Sequence, residues 1–455
     1  MLTYELKKQP GVPLYEALYR CIRGDILSGK LEPGEKLPSK RALAAHLEVS
    51  KITVEGAYDQ LLAEGYILSR EKIGYFVENI ERVKPVNTAQ SAPASEASWE
   101  IDLTANGSTD FPFSVWSKLQ REVMLDMKEQ LLSPMPNQGV WELRCAIAEH
   151  LAGFRGMQVK PENILVGAGT DFLYNLLIQL LGRDKIYAVE EPGYGKIRRI
   201  YAAGGVRCVS ARMDDSGVMP DSLTDAQVLH ISPAHHFPTG LVTPPKRRAE
   251  LLQWARQTQD RYIIEDDYDS EFRFDTHPML TLESLDRDGR VIYMNTFSKT
   301  LTPSIRISYM VLPDALMEQF HDTLGFYSCT VPSFEQYTLE RFLRRGYFEK
   351  HINRMRKVYK QRRNQMIAAL TDSPFAGQFT ILEQDAGLHF LLRMDTALSD
   401  DQLVSRCGQS GIRVLPLSGY YHGTVPESVR RSLVINYSAL TEEKISLLKQ
   451  KLQQL

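Results

Sequence analysis

The chain has 455 residues, 43% of them hydrophobic and 24% charged, with a formal net charge of -2. This is the composition of a globular protein too long for a single core. The charge balance carries no global signature of nucleic-acid binding, so any such function must rest on local features. The five cysteines (Cys21, Cys145, Cys208, Cys329 and Cys407) are scattered without CxxC or metal-ligand spacing, which points to reduced thiols and no metal site. The opening MLTYELKKQP lacks an apolar core, and no stretch nears about 18 uninterrupted apolar residues. A cytoplasmic protein with no membrane span is expected.

Residues 14–29 place Leu14, Leu18, Ile22 and Ile26 on one helical stripe that stops at Gly29. The turn LEPGEKLPS ends in Ser39, an N-cap for a helix from Lys40 that turns Leu43, Ala44 and Leu47 inward. Ser50 caps another helix, Lys51 to Glu64, with Val54, Ala57, Tyr58 and Leu61 as its apolar face and Gly65 as its stop. Residues 66–69 and 73–77 are β-rich runs separated by polar residues, the pattern of a two-stranded wing. Residues 81–99, rich in Ala, Ser and Pro without an apolar period, read as a linker. If flexible, it spans roughly 24 Å in the root mean square.

Two short helices joined by a tight turn and followed by a wing match a winged helix-turn-helix. The unit 1–80 resembles the GntR family over nearly its whole length. The shared marks are LPS, Arg41, Leu43–Ala44, Val49–Ser50, Thr53–Val54, Ala57–Tyr58 and Glu64–Gly65–Tyr66. Residues 1–80 hold 11 Lys/Arg and 11 Asp/Glu, so the unit is not basic as a whole. Lys36, Lys40, Arg41 and Lys51 nonetheless cluster around the turn and the third helix. Together with Ser39, Ser50 and Thr53 they are the candidate contacts to double-stranded operator DNA. Two departures from the family are visible. Lys51 stands where the family usually has Arg, which keeps a charge but loses a bidentate fork. The wing reads EKIGYF rather than a GSG turn.

From Trp99 onward, short apolar runs alternate with helical patterns, as in an α/β domain with a mostly parallel sheet. Ligands of such sheets sit beyond the carboxyl ends of the strands. NILVG is followed by a Gly-rich turn that opens a helix, where Ala168, Gly169 and Thr170 can cradle a phosphate. KIYAVEE is followed by PGYG, which can aim Tyr194 over a flat ring. VLHIS is followed by His235 and His236, RYIIE by Asp266 and Tyr268, and RVIYMNTF by Ser298, Lys299 and, seven residues on, Arg306. Phosphate cradle, stacking aromatic, acid, lysine and arginine are the parts of a pyridoxal 5′-phosphate (PLP) site.

The order and spacing of these parts resemble the fold-type I PLP enzymes, the aspartate aminotransferase superfamily, over residues 100–455. The segments SPAHHFPTG, IIEDDYDSEFRF and NTFSKTLTPSIRISYMVLP are most similar to the MocR subfamily of GntR regulators. The resemblance implies a large α/β domain with a small C-terminal subdomain. It makes Lys299 the internal-aldimine lysine and Asp266 the pyridinium partner, with Tyr268 on the phenolate oxygen and Tyr194 stacked on the ring. Thr296, Ser298 and Arg306 then join residues 168–170 at the phosphate. It also implies a homodimer, head-to-tail with exchanged winged helices.

His235–His236 replaces the usual His–Gln of the HQFP segment. Val434 stands where fold-type I aminotransferases carry an Arg that clamps a substrate carboxylate, with Arg430 and Arg431 out of register. The loss of a clamp worth roughly 1.5–3 kcal/mol argues against efficient transamination of α-amino acids. The sensed effector is then PLP itself, or an amine or amino acid held differently, with Arg198 and Arg413 as candidate replacements. A PLP-sensing transcription regulator is the first reading; a working aminotransferase with an accessory DNA-binding domain is the alternative.

Overall fold

The computed structural model describes residues 2–4, 6, 13–71, 73–79, 99–105, 107, 110–274, 280–382 and 387–453. The chain divides into two compact units, Met1–Glu96 and Ala97–Leu455. The linker reading of 81–99 lies outside the described residues except for Trp99.

In the first unit, α1 (Leu14–Ser28) ends at Gly29, which takes the left-handed φ of 82° that a helix stop requires. The Ser39 hydroxyl accepts the Ala42 amide and starts α2 (Lys40–His46). Ser50 does the same for Thr53 at the head of α3 (Lys51–Ala63). The wing is β1 (Ile67–Arg70) paired antiparallel with β2 (Gly74–Val77). Both strands start one residue later than the apolar runs suggest. The cause at β1 is that the Tyr66 amide still closes α3 by donating to the Leu61 carbonyl at 2.9 Å. Leu18, Ile22, Val54, Tyr58 and Leu61 form the core, while Leu14 is only half-buried.

The second unit opens with β3 (Ile101–Asp102), α4 (Phe113–Met127) and α5 (Trp141–Arg155). Next come β4 (Ile164–Gly167), α6 (Thr170–Leu181), β5 (Ile186–Glu191), α7 (Gly195–Ala203), β6 (Arg207–Asp214), β7 (Gly217–Val218) and β8 (Val228–Ile231). They are followed by α8 (Pro245–Arg256), β9 (Tyr262–Asp267), α9 (Leu282–Leu285), β10 (Val291–Thr296), α10 (Phe297–Thr300) and β11 (Ser308–Val311). The remainder is α11 (Asp314–Leu324), α12 (Ser333–Arg344), α13 (Tyr347–Thr371), β12 (Phe379–Leu382) and β13 (His389–Met394). It closes with α14 (Asp400–Gln409), β14 (Ile412–Arg413), β15 (Leu415–Pro416), β16 (Ser432–Asn436) and α15 (Glu442–Leu452).

Eight strands form one sheet in the order β4-β11-β10-β9-β8-β5-β6-β7. The run from β10 to β6 is parallel throughout, and β11 and β7 are antiparallel to their neighbours. The middle strands are covered on both faces, so they read as near-continuous apolar runs rather than alternating ones. Their shared direction brings the ends of β5, β8, β9 and β10 to one edge. A smaller antiparallel sheet, β12-β13-β16-β15, belongs to the C-terminal part. Among the described residues, no helix is long and apolar enough to cross a membrane.

Candidate functional site

A cavity of about 320 Å³ lies where the ends of β5, β9 and β10 meet the start of α6. Gly169 precedes α6 with a φ of 87°, and a Cβ there would stand 2.5 Å from Arg306 Nη2. Only glycine lets the backbone come this close to the guanidinium. Arg306 is itself left-handed, with a φ of 51°, a conformation uncommon outside glycine and typical of functional positions. Its Nη2 lies 3.3 Å from the Ala168 carbonyl and 3.4 Å from Asp171 Oδ2.

The expected triple cradle is thereby corrected in part. The Ala168 amide already donates to Thr330 Oγ1 at 2.9 Å and the Gly169 amide to the Gly167 carbonyl at 2.8 Å. These two residues position Arg306, and the donors that α6 offers outward are the amides of its first turn, beginning at Thr170.

Asp266 reaches the cavity from β9. Its Oδ2 accepts from the Tyr174 hydroxyl and lies 3.4 Å from His230 Nε2, while His230 Nδ1 is 2.6 Å from the Tyr201 hydroxyl. Burial pushes the Tyr174 phenol well above its ordinary range, so it stays a donor. Asp266 Oδ1 is buried and has no hydrogen-bond partner. Successive residues of a strand point to opposite faces, and Asp267 binds Arg155 and the Tyr293 hydroxyl. The end of β9 is thus pinned from both sides.

Lys299 sits in α10, immediately after β10. Burial pushes its ammonium below the ordinary lysine range, against the pull of Asp269 and Asp266. The Thr296 hydroxyl accepts the Ser298 amide at 3.1 Å and the Ser308 hydroxyl at 2.7 Å, so it is spent on shaping this turn. Ser298 Oγ is buried without a partner and lines the cavity. The Tyr268 hydroxyl lies 3.4 Å from His235 Nδ1, which is held at 2.8 Å by Asp269. Tyr194, 51% exposed, lines the cavity edge-on to Phe237. His236 is held away by Thr239 Oγ1 at 2.6 Å, and burial lowers its pKa to about 3.

Five lining or supporting groups lie outside the expected set of site residues: Glu190, Tyr174, His230, Asp171 and Lys196. Glu190 lies within β5, accepts the Ser232 amide at 3.1 Å and has its carboxyl pushed well up by burial. Tyr174 lies one turn into α6 and His230 inside β8. Their only signal is a polar ring among buried apolar neighbours, Leu173 and Leu177 for Tyr174 and Leu229 and Ile231 for His230.

Val434 is 3% exposed on β16, packed with Leu391, Leu417, Phe237 and Tyr420. Neither candidate replacement clamp lines the cavity. Arg198 is held by Ser210 Oγ at 2.7 Å and the Cys208 carbonyl at 3.3 Å, and Arg413 pairs with Asp102 at 3.3 Å. Arg430 and Arg431 both pair with Glu427. Among the described lining residues the cations are Lys196, Lys299 and Arg306, and Lys196 and Arg306 share Asp171.

Residues 100–452 match the family "Aminotransferase class I and II", and residues 14–77 match "Bacterial regulatory proteins, gntR family". The chain is 31% identical to the probable rhizopine catabolism regulatory protein MocR of Rhizobium meliloti, covering 96% of this chain and 92% of that one. The chain belongs to the MocR-type subfamily of GntR regulators. It is also 35% identical to YdeL, an HTH-type transcriptional regulator of Bacillus subtilis, over 98% of this chain and 97% of the relative. The pyridoxine biosynthesis regulator PdxR of Corynebacterium glutamicum is 32% identical over 89% and 88%. In fold, this MocR-type chain is similar to the Pyrococcus horikoshii kynurenine aminotransferase solved with PMP. The TM-score is 0.68 and the identity 25%, covering 79% of this chain and 91% of that one.

PLP is the cofactor of the aminotransferase-like domain. The residues present fit it. The unpartnered Asp266 Oδ1 is an acceptor for a ring nitrogen, and the Gly169–Arg306 approach is a cradle that any side chain would fill.

In the GntR-type unit, Lys40 has to be taken out of the expected phosphate contacts. Its side chain is only 16% exposed, lies 3.1 Å from both Glu55 and Asp59, and sits over the Tyr75 ring. Two carboxylates and an aromatic face hold the ammonium inside the fold. The Ser39 and Ser50 hydroxyls are used as caps, and Ser50 also bonds Thr53 Oγ1 at 2.8 Å. Lys36, Arg41 and Lys51 are exposed.

Proposed function

We propose that this MocR-type protein is a transcription regulator that senses PLP, and through it vitamin B6 status, at Lys299. It reads operator DNA with residues 1–80, joined through 81–99 to the effector domain 100–455. The observation that carries the effector reading is the apolar setting of Val434 together with the pairing of Lys196 and Arg306 on Asp171. With Lys299 reserved for the PLP aldehyde, an incoming α-carboxylate finds no other unpaired cation among those described lining residues. This supports PLP itself as the sensed molecule, or an amine that needs no carboxylate clamp.

Bound there, PLP supplies an aldehyde that condenses with an amine and a pyridine ring that takes up electron density. Lys299 is the amine placed for that bond, and its burial favours the neutral, nucleophilic form. Asp266 Oδ1 would hold the proton of the ring nitrogen, with Oδ2 kept in place by Tyr174 and His230. Arg306, Ser298 and the first turn of α6 would hold the phosphate. Tyr194 would cover the ring face, and Tyr268 would bond its oxygen substituent.

The regulator acts as a homodimer in this reading. Phe113, Leu125, Leu132 and Phe326 are large apolar side chains left well exposed on the effector unit, which supports a covering second copy.

Borohydride reduction of the PLP-loaded full-length protein, followed by peptide mass mapping, tests the anchor. The expected result is one pyridoxyl-phosphate increment on the peptide bearing Lys299, absent from Lys299→Ala. No increment, or one on Lys196, contradicts the reading.

A further inference from the structure

The outward side of α3 is chemically lopsided. Val54, Ala57, Tyr58 and Leu61 are buried in the core of the unit. Glu55 and Asp59, at 43% and 60% side-chain exposure, share the single cation Lys40. The middle of the helix therefore keeps a net negative charge, which phosphates repel. Only the first turn can approach base edges, the docking known for the second helix of a helix-turn-helix.

In that first turn, the Ser50 and Thr53 hydroxyls bond each other, and Ser50 also caps the backbone by accepting the Thr53 amide. The side chains left to project are Lys51 and Ile52. Lys51 supplies the charge that draws the turn to the phosphates. Ile52 is 79% exposed, more than any other large hydrophobic side chain described in this unit. A single exposed isoleucine on a protein surface needs no explanation. One placed where a helix meets bases, next to the only projecting cation of its turn, has a definite partner. Isoleucine offers no donor or acceptor, and the one apolar group in the major groove is the thymine C5-methyl.

We propose that Ile52 is a base-reading residue that selects thymine through its methyl group in the major groove. The proposal rests on the DNA-binding reading of the unit and goes beyond it to a residue and a base.

The test uses full-length, PLP-loaded protein and a duplex that it selects from a randomised pool. Each thymine in the footprint is then replaced singly by deoxyuridine, which removes only the methyl. At one thymine per half-site the wild-type protein is expected to lose affinity by about three- to five-fold, the worth of one buried methyl. Ile52→Ala is expected to bind the thymine duplex more weakly by a similar factor and to be indifferent to the same replacement. Ile52→Val should keep part of the discrimination. If no thymine is sensitive in the wild type, or Ile52→Ala remains equally sensitive, the proposal is overturned while DNA binding stands. If the protein selects no duplex at all, the DNA-binding reading falls and the proposal with it.

Discussion

Gly169 and Arg306 are two residues whose roles cannot be separated. The glycine is left-handed and leaves 2.5 Å between the site of a would-be Cβ and Arg306 Nη2. Gly169→Ala must therefore push the guanidinium away from the start of α6 while straining its own backbone. The expected result is at least about a ten-fold loss of PLP affinity in spectral titration, with Lys299 still the labelled residue. Unchanged affinity would mean that Arg306 does not hold the phosphate. Lys299, Asp266 and Arg306 are visible in the sequence because they come after apolar strands at the edge where α/β sheets bind ligands. Tyr174 is not, because it lies inside α6. Glu190 and His230, each one residue short of its strand's end as Asp266 is in β9, carry no residue type that the expected PLP parts, with Asp266 as their acid, still call for. A polar ring within a helix or strand looks the same in one dimension whether it meets the core or a cavity. The engagement of the cradle amides is illegible for a related reason: Thr330, the partner of Ala168, is 162 residues away in sequence.

At the scale of elements, the caps are the most readable features. Ser39, Ser50, Gly29 and Gly65 mark helix ends that the structure places within a residue of expectation. The first wing strand starts late because a backbone hydrogen bond from Tyr66 prolongs the end of α3, and no side-chain pattern encodes that bond. Charge is less readable than shape. Lys40 and Lys51 look alike in sequence, yet one is enclosed by Glu55, Asp59 and Tyr75 and the other is exposed. They should part company in a salt titration of DNA binding. Lys51→Ala is expected to reduce the slope of log affinity against log salt by about 0.9, the share of one phosphate contact. Lys40→Ala should leave that slope nearly unchanged and instead lower the unfolding midpoint of the N-terminal unit. Equal slope changes for both variants would return Lys40 to the phosphate contacts.

On the scale of the molecule, the chain joins two units that are each legible by family and that carry separate chemistries. The strand order of the large sheet is beyond the reach of pattern alone, because pairings such as β4 with β11 join segments far apart in sequence. The mostly parallel class is legible, because uninterrupted apolar strands alternate with helices. Regulation requires that the two chemistries be linked: PLP has to favour one DNA-binding state over the other, and by linkage the DNA has to change PLP affinity in turn. The most direct test is the affinity of the full-length protein for its selected duplex, with and without saturating PLP, for wild type and Lys299→Ala. Sensing at Lys299 requires that PLP change the wild-type affinity by at least about five-fold, the lower end of ordinary allosteric coupling, and leave Lys299→Ala unmoved. Equal wild-type affinity in both states, or the same response without Lys299, would contradict it.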